Sequence, residues 1–478
     1  MIQPQATQQD DDRHKKFDKM KLGKFLIIIC LTAIFLPSCE LLDRTSPNDI
    51  DADDAFTTAE SAENALVGVY NSMQAREYYG GVFPMIGDAV TDDIFVGGFD
   101  DPSLDELGFN QVTTQNVHVE EVWLAIYRTI ANANYLLEGL QEIDPSEFED
   151  GQRESIEGQA RALRAWGHFD ALRLYGEHWN GQSFFGVPIV SSVQTIEQVA
   201  LRGSVQESYN FIISELEEAA KFVSSERTPG YVDLLTVQAM LAKVNLFKKD
   251  FAQAESYASQ VIDSGEFGLY DASEIGNIYT DRQTQESIFE LAFDNQNRSA
   301  YNTLTYSRPD ALNTELWFMS DVALGDFFAS RPGDARSTLH DFDPEHNDVT
   351  IQPNGRTEKY RGEVLRDNSA YILRLAEMYL IRAEAKGLAG LDDLNFLRQA
   401  RGLQPVNPAT EEEYLAAILD ERRAELNFEG SRLFDLARFG KFVEVLGLEQ
   451  EEGYRAILPI PLREVNATNG ELIQNPGY

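Results

Sequence analysis

Residues 234–262 read LLTVQAMLAKVNLFKKDFAQAESYASQVI. Two runs of helical length, 234–248 and 251–262, are joined by the short turn Lys249-Asp250, and Ala254, Ala258 and Val261 face inward at helical spacing in the second run. The stretch is therefore a helix hairpin, and similar runs recur along the chain. In VWLAIYRTIANANYLLEGL (122–140), Ile126, Ile130, Ala133, Leu137 and Leu140 line one face of an amphipathic helix. In IEGQARALRAWGHFDALRLYG (156–176), Ile156, Ala160, Leu163, Gly167, Ala171 and Leu174 do the same. YILRLAEMYLIRAEAK (371–386), with Ile372, Leu375, Tyr379 and Ala383 on one side, precedes DLNFLRQARGL; EEEYLAAILDERRAEL precedes GSRLFDLARFGKFVEVLG. The fold class that follows is mainly α, a scaffold of paired helices.

Two stretches break this rhythm. Residues 77–115 are rich in Gly, Asp and Phe without a 3.6-residue period, and residues 265–369 mix short β-like runs such as SIFELAF with Asn, Arg, Tyr and Pro. Connections of that length are usually functional or disordered, and their aromatic content argues against disorder. They are expected to be structured, ligand-facing, loop-rich excursions with minor β content. The hairpin at 234–262 also resembles a tetratricopeptide repeat, a unit of about 34 residues. Leu241, Ala242 and Ala254 sit at that repeat's spacing, whereas Asn245 and Lys249 replace its aromatic and its glycine.

The N-terminal segment FLIIICLTAIFLPSCELLDRTSP, starting at Phe25, has an apolar run of 12 residues behind Lys15, Lys16, Lys19, Lys21 and Lys24. That is short of the roughly 20 residues of a spanning helix and has the layout of a secretory signal. Leu36-Pro37-Ser38-Cys39 resembles a bacterial lipobox, in which the cysteine is lipidated and becomes the new N-terminus. Met20 begins a conventional signal of its own. Residues 1–39 are thus read as a removed leader and 40–478 as a single domain, since no Pro/Ser-rich linker divides them. The chain carries 40 basic and 79 acidic residues, net charge −39. Such a surface repels phosphate backbones and excludes nucleic acid as a partner. Cys30 and Cys39 are the two cysteines, so the expected mature chain has no internal disulfide and no thiol chemistry.

Ten blocks in order give the chain a resemblance to the SusD/RagB lipoproteins, surface-exposed partners of TonB-dependent outer-membrane transporters. They are CELLDRTSP; VWLAIYRTIANANYLLEGL; GQARALRAWGHFDALRLYGEHWN with GVPIV; SYNFIISELEEAAKFV; LTVQAMLAKVNLFKKDFAQAESYASQVIDSGEFGLY; ESIFELAF; YILRLAEMYLIRAEAK; LNFLRQARGL; ILDERRAELNFEGSRLFDLARFGK; and ILPIPLREVNATNGELIQNPGY. The resemblance implies a SusD-like helical scaffold of tetratricopeptide-like pairs cradling a SusC-like transporter. It also implies a loop-built face that captures a glycan or, in some members, a peptide. Cys39 would carry the lipid that tethers the protein to the outer membrane, facing outward. The implied role is binding, with no cofactor and no catalysis.

A sugar packs its C–H face on a flat aromatic because both surfaces are apolar and broad. Trp317, in TELWFMS, lies in the second excursion near Tyr301, Tyr306 and Arg308, and is the leading candidate contact. The first excursion would add Asp92, Asp93, Phe95, Phe99 and Asn110. Trp123 and Trp166 belong to helical blocks and are expected in the core, while Trp179, in EHWNGQSFFGVP, is either a lip of the site or a packed loop.

Glu421, Glu425 and Glu429 in ERRAELNFEG raise the rival class, a glycosidase, because retaining enzymes use paired carboxylates. The interleaved Arg422, Arg423 and Arg432 argue instead for an ion-pair network, since adjacent arginines lower the pKa that a general acid needs raised. HDFDPEHND (340–348) fails as a calcium loop, with His346 where glycine is needed and Gln352 where glutamate is needed. It is read as a solvated loop, not a metal site.

Overall fold

The structure, a computed structural model, describes residues 56–97, 101–195, 198–305, 317–346, 353–360 and 367–478. The leader with Cys39, together with Phe99, Tyr306 and Arg308, lies outside the described residues. In chain order the main elements are α1 (Ala59–Met73), α2 (Val82–Ala89), β1 (Ile94–Val96), α3 (Pro102–Gly108), α4 (Val117–Gly139), α5 (Gln152–Tyr175), α6 (Val205–Phe222), α7 (Leu234–Lys248) and α8 (Phe251–Asp263). They continue with β2 (Ser287–Leu291), β3 (Phe318–Ser320), α9 (Val322–Ala329), β4 (His340–Asp341), β5 (Arg356–Thr357), β6 (Ala370–Arg374), α10 (Leu375–Lys386), α11 (Leu391–Ala400), α12 (Glu411–Leu426) and α13 (Arg432–Arg438).

Several of the long helices start at side-chain caps, which satisfy backbone N–H groups that have no partner within the helix. Asn116 accepts from the Val119 N–H to open α4, Asp233 from Thr236 to open α7, and Thr410 from Glu413 to open α12. Ser204 and Glu207 form a reciprocal capping box at α6. Between α4 and α5 the small residue Gly167 permits close approach, since a Cβ there would lie 2.9 Å from Cγ1 of Ile130. Trp123 and Trp166 are buried in the core this packing creates, and the Trp166 indole N–H donates to the Tyr79 hydroxyl at 2.8 Å. A smaller apolar cluster built on Leu380, Leu397, Tyr414 and Ile418 joins α10, α11 and α12.

The hairpin α7–α8 turns at Lys249, whose φ of 67° and ψ of 26° are left-handed. Its N–H reaches the carbonyls of Asn245 and Leu246, and the Asp250 side chain then accepts from Gln253 to start α8. The position at which the repeat pattern has a glycine is thus conformationally a glycine position, occupied here by lysine.

Strand content is three two-stranded antiparallel pieces among the described residues. β2 pairs with β6, from Ser287 opposite Arg374 to Leu291 opposite Ala370, and so draws together the two ends of the second excursion. The first excursion is less irregular than its sequence suggests, because it holds α2, β1 and α3. Every residue of α2 (VFPMIGDA) is buried, so no polar face marks the helical period.

Replacing Lys249 with glycine should stabilise the fold by about 1 kcal/mol, the cost of a left-handed conformation for an L-residue. Urea unfolding of Lys249→Gly beside the parent checks this; a loss of stability would show that the lysine side chain contributes more than its backbone strain costs.

Candidate functional site

β1 and β3 are where the two excursions meet. Ile94 pairs with Ser320, Phe95 with Met319 and Val96 with Phe318. The ribbon is extended at both ends, by the Gly97 N–H donating to the Trp317 carbonyl at 2.9 Å and the Asp321 N–H donating to the Asp93 carbonyl at 3.0 Å. Trp317 therefore stands at one end of the ribbon, half-buried, with its own N–H fixed to the Leu304 carbonyl at 3.0 Å.

The indole is flanked by two groups. The Arg76 guanidinium lies 4.6 Å over the ring, and the His118 imidazole centre is 5.1 Å away with the planes inclined by 55°. His118 Nε2 is 3.1 Å from a carboxylate oxygen of Asp101, which is also the N-cap of α3. Nearby in the chain, Phe95 of β1 is 40 % exposed, Phe109 at the end of α3 72 %, and Val117, next to His118, 45 %. The result is an aromatic and cationic ledge with apolar groups open to solvent. Asn110, left-handed with φ of 49°, directs its amide to the Val90 carbonyl at 2.7 Å.

Several residues read from sequence as ligand-facing turn inward. Tyr301 is 1 % exposed; it stacks on Tyr360 at 4.4 Å and donates its hydroxyl to the Tyr79 carbonyl at 2.7 Å. Asp93 is fully buried and takes the Arg423 Nε at 2.6 Å. Asp92 takes Arg432 at 2.8 Å and Arg423 at 2.9 Å. Burial alone would raise the Asp92 carboxyl, but Arg432 and Arg423 hold it below its usual range. All three are tied to protein partners, Tyr301 to Tyr79 and Tyr360 and the aspartates to Arg423 and Arg432. The sequence places them on the right segments but does not reveal which way each side chain points. Arg76, His118 and Asp101 carry no mark in the sequence; the fold brings Arg76 and His118 to Trp317, and Asp101 to His118. Trp179 is a half-buried packing residue, edge-on to His178 at 5.1 Å.

The glutamates of α12 and the following turn form an ion-pair lattice, though not with the arginines beside them in sequence. Glu421 meets Arg336, Arg331 and Arg398 at 2.5, 2.7 and 2.8 Å. Glu425 meets Arg374, Arg401 and Arg336 at 2.8, 3.0 and 3.0 Å. Glu429 meets Arg374 and Lys359 at 2.8 and 2.9 Å. The interleaved arginines point elsewhere, Arg422 to Asp435 at 2.7 Å, and Arg423 and Arg432 to the first excursion. Burial opposes ionisation of Glu425, yet Arg401, Arg374 and Arg336 reverse it and hold the carboxyl well below the ordinary range. None of the three is available as a proton donor near neutral pH.

In the 340–348 segment the two histidines part company. His340 is buried between the Ser320 hydroxyl at 2.8 Å and the Asn427 side-chain oxygen at 3.0 Å, and burial, followed by the Lys359 charge, pushes it down to about 3. His346 is exposed, 3.3 Å from Asp341. Among the described residues no cluster of His, Cys, Asp or Glu is arranged to hold a metal ion, and no helix is long and apolar enough to cross a membrane.

Comparison with known proteins agrees with this architecture. Residues 40–247 match the family model described as starch-binding and associating with the outer membrane, and residues 277–456 match the SusD family model. A SusD-like protein of Formosa agariphila is 27 % identical, with 97 % of this chain and 100 % of that protein covered. A SusD superfamily protein from Bacteroides thetaiotaomicron superimposes with a TM-score of 0.79 at 24 % identity, covering 88 % of this chain and 100 % of that one. A laminarin-binding SusD-like protein superimposes with a TM-score of 0.73 at 23 % identity, over 88 % of this chain and all of that one.

Glu425→Gln should lower the unfolding free energy by about 3–5 kcal/mol, because it leaves arginines buried without their full counter-charge. The folded carboxyl lies below its unfolded value, so its contribution is complete above pH ~4.3 and is lost as pH falls through the depressed folded value. Urea unfolding between pH ~7 and ~3 should accordingly show a shallower acid decline in the variant than in the parent. Equal stability, or parallel acid limbs, would show that the lattice does not brace the fold.

Proposed function

The chain belongs to the SusD/RagB family, and from that premise we propose that it is an outer-membrane lipoprotein that captures a glycan on the Trp317 ledge. Lipidation at Cys39 holds it to the membrane, with the ledge on the extracellular side. The captured oligosaccharide or polysaccharide is delivered to a SusC-like TonB-dependent transporter. The observation that supports this reading is the β1–β3 pairing, which joins both excursions and sets half-buried Trp317, flanked by Arg76 and His118, at the end of the ribbon.

The charge of the chain favours a neutral glycan, since an acidic polysaccharide would approach a surface of net charge −39. A neutral β-glucan is the first candidate, because a laminarin binder shares the fold. Binding without turnover fits the carboxylates of α12, which are buried and locked to arginine and lysine. Peptide capture and glycoside hydrolysis are the competing outcomes.

The test is titration of purified residues 40–478, without lipid, against laminarin, other neutral polysaccharides, polygalacturonate and a protein digest. A neutral glucan should bind reversibly with no release of reducing ends, and Trp317→Ala should weaken it about tenfold, equivalent to roughly 1.4 kcal/mol. Undiminished binding by Trp317→Ala would remove the ledge as the site, preferential binding of the digest would make the ligand a peptide, and reducing-end release would make the protein an enzyme.

A further inference from the structure

Away from the ribbon, α1, α5 and the connection between α6 and α7 line an open cavity of about 390 Å³. Its wall includes Gln152, Ser155, Gln159, Ser224, Thr228 and Tyr231. In a chain of net charge −39, Glu63 is the one charged side chain lining it, and that carboxylate already accepts from the Gln152 amide at 2.7 Å. The cavity is otherwise a set of uncharged amides and hydroxyls above an apolar floor of Leu66, Ile156 and Val232.

These polar groups are oriented by neighbours and keep hydrogen-bonding capacity. The Gln152 carbonyl accepts from the Glu149 N–H at 2.9 Å and one amide hydrogen goes to Glu63, which leaves its second amide hydrogen. The Gln159 carbonyl accepts the Tyr70 hydroxyl at 2.7 Å, and its amide donates to Ser155 Oγ at 3.3 Å, so the Ser155 hydroxyl hydrogen is left to donate. Thr228 donates to the Glu226 carbonyl at 3.4 Å and keeps its acceptor lone pairs. Tyr231 stands against Tyr70, with ring centres 5.3 Å apart and planes at 80°, and remains 42 % exposed.

An anionic ligand would meet the Glu63 carboxylate and no cation in this wall, and a wholly apolar one would leave its amides and hydroxyls unpaired. A pyranose matches both requirements, with an apolar C–H face for an aromatic ring and a rim of neutral hydroxyls for amides and hydroxyls. The volume lies at the small end of ligand cavities, which run from about 300 to 1,000 Å³. We propose that this cavity is a second carbohydrate site, taking a neutral mono- or disaccharide, with Tyr231 as its aromatic wall and Gln152, Ser155 and Gln159 as its hydroxyl partners. The assignment rests on the cavity alone and is independent of the Trp317 ledge.

Saturation-transfer NMR and calorimetry on the full chain, in a detergent without a sugar headgroup, test it with glucose, maltose and laminaribiose as probes. At least one sugar should still bind Trp317→Ala, should lose at least tenfold in affinity when Tyr231→Ala is added, and should recover to within twofold with Tyr231→Phe. Loss of all binding in Trp317→Ala would overturn the second site while leaving the ledge intact. Equal binding with and without Tyr231→Ala, or no transfer from any of the three sugars, would overturn it as well.

Discussion

Helix α12 and the turn behind it hold the two excursions by opposite charges, and the Trp317 ledge depends on that arrangement. The carboxylates Glu421, Glu425 and Glu429 reach Arg331, Arg336, Lys359 and Arg374 of the second excursion and β6. On another side Arg423, with Arg432 of α13, reaches Asp92 and Asp93 of the first. Arg422 faces a third way, to Asp435 and to Glu377 of α10, and Glu377 also meets Lys243 of the α7–α8 hairpin at 3.0 Å. Buried ion pairs contribute little net stability over apolar packing, but removing one partner is costly. Guanidinium–carboxylate pairs are directional, so they fix where a segment sits as well as whether it is buried. Two polypeptide stretches of short helices, short strands and loops are thereby fixed to one helix, and β1 meets β3 in a single register.

How much of this the sequence discloses depends on whether a segment has a solvent face. α4 and α8 alternate buried and exposed sides, and their apolar spacing is readable directly. α2 is buried all round and leaves no such trace. The tetratricopeptide-like hairpin is readable even where it departs from the pattern, because Lys249 adopts the backbone geometry a glycine would have taken. Trp317 was legible as an aromatic in an irregular stretch, whereas its companions Arg76 and His118 come from 241 and 199 residues earlier in the chain and are joined to it only by folding. Tyr301 and Asp93 show the reverse case, correct segments with side chains that the tertiary structure turns inward.

The same ion pairs withdraw the α12 carboxylates from acid–base chemistry. Carboxylates one helical turn apart on α12 have the spacing of an acid and base pair, yet three arginines around Glu425 keep it ionised and enclosed. What the molecule presents to solvent is instead an aromatic ledge at the Trp317 end of the ribbon and, elsewhere, a cavity between α1 and α5 lined mostly by uncharged side chains. Both suit ligands recognised by shape, stacking and hydroxyl hydrogen bonds.

The central claim is that the two excursions act as one ligand-binding surface because they share the β1–β3 ribbon. Hydrogen exchange of the full chain with and without soluble laminarin tests it most directly. Joint protection of residues 94–97 and 317–320 on adding the glucan is the predicted result. Protection of neither segment, or of one while the other exchanges unchanged, would contradict the account.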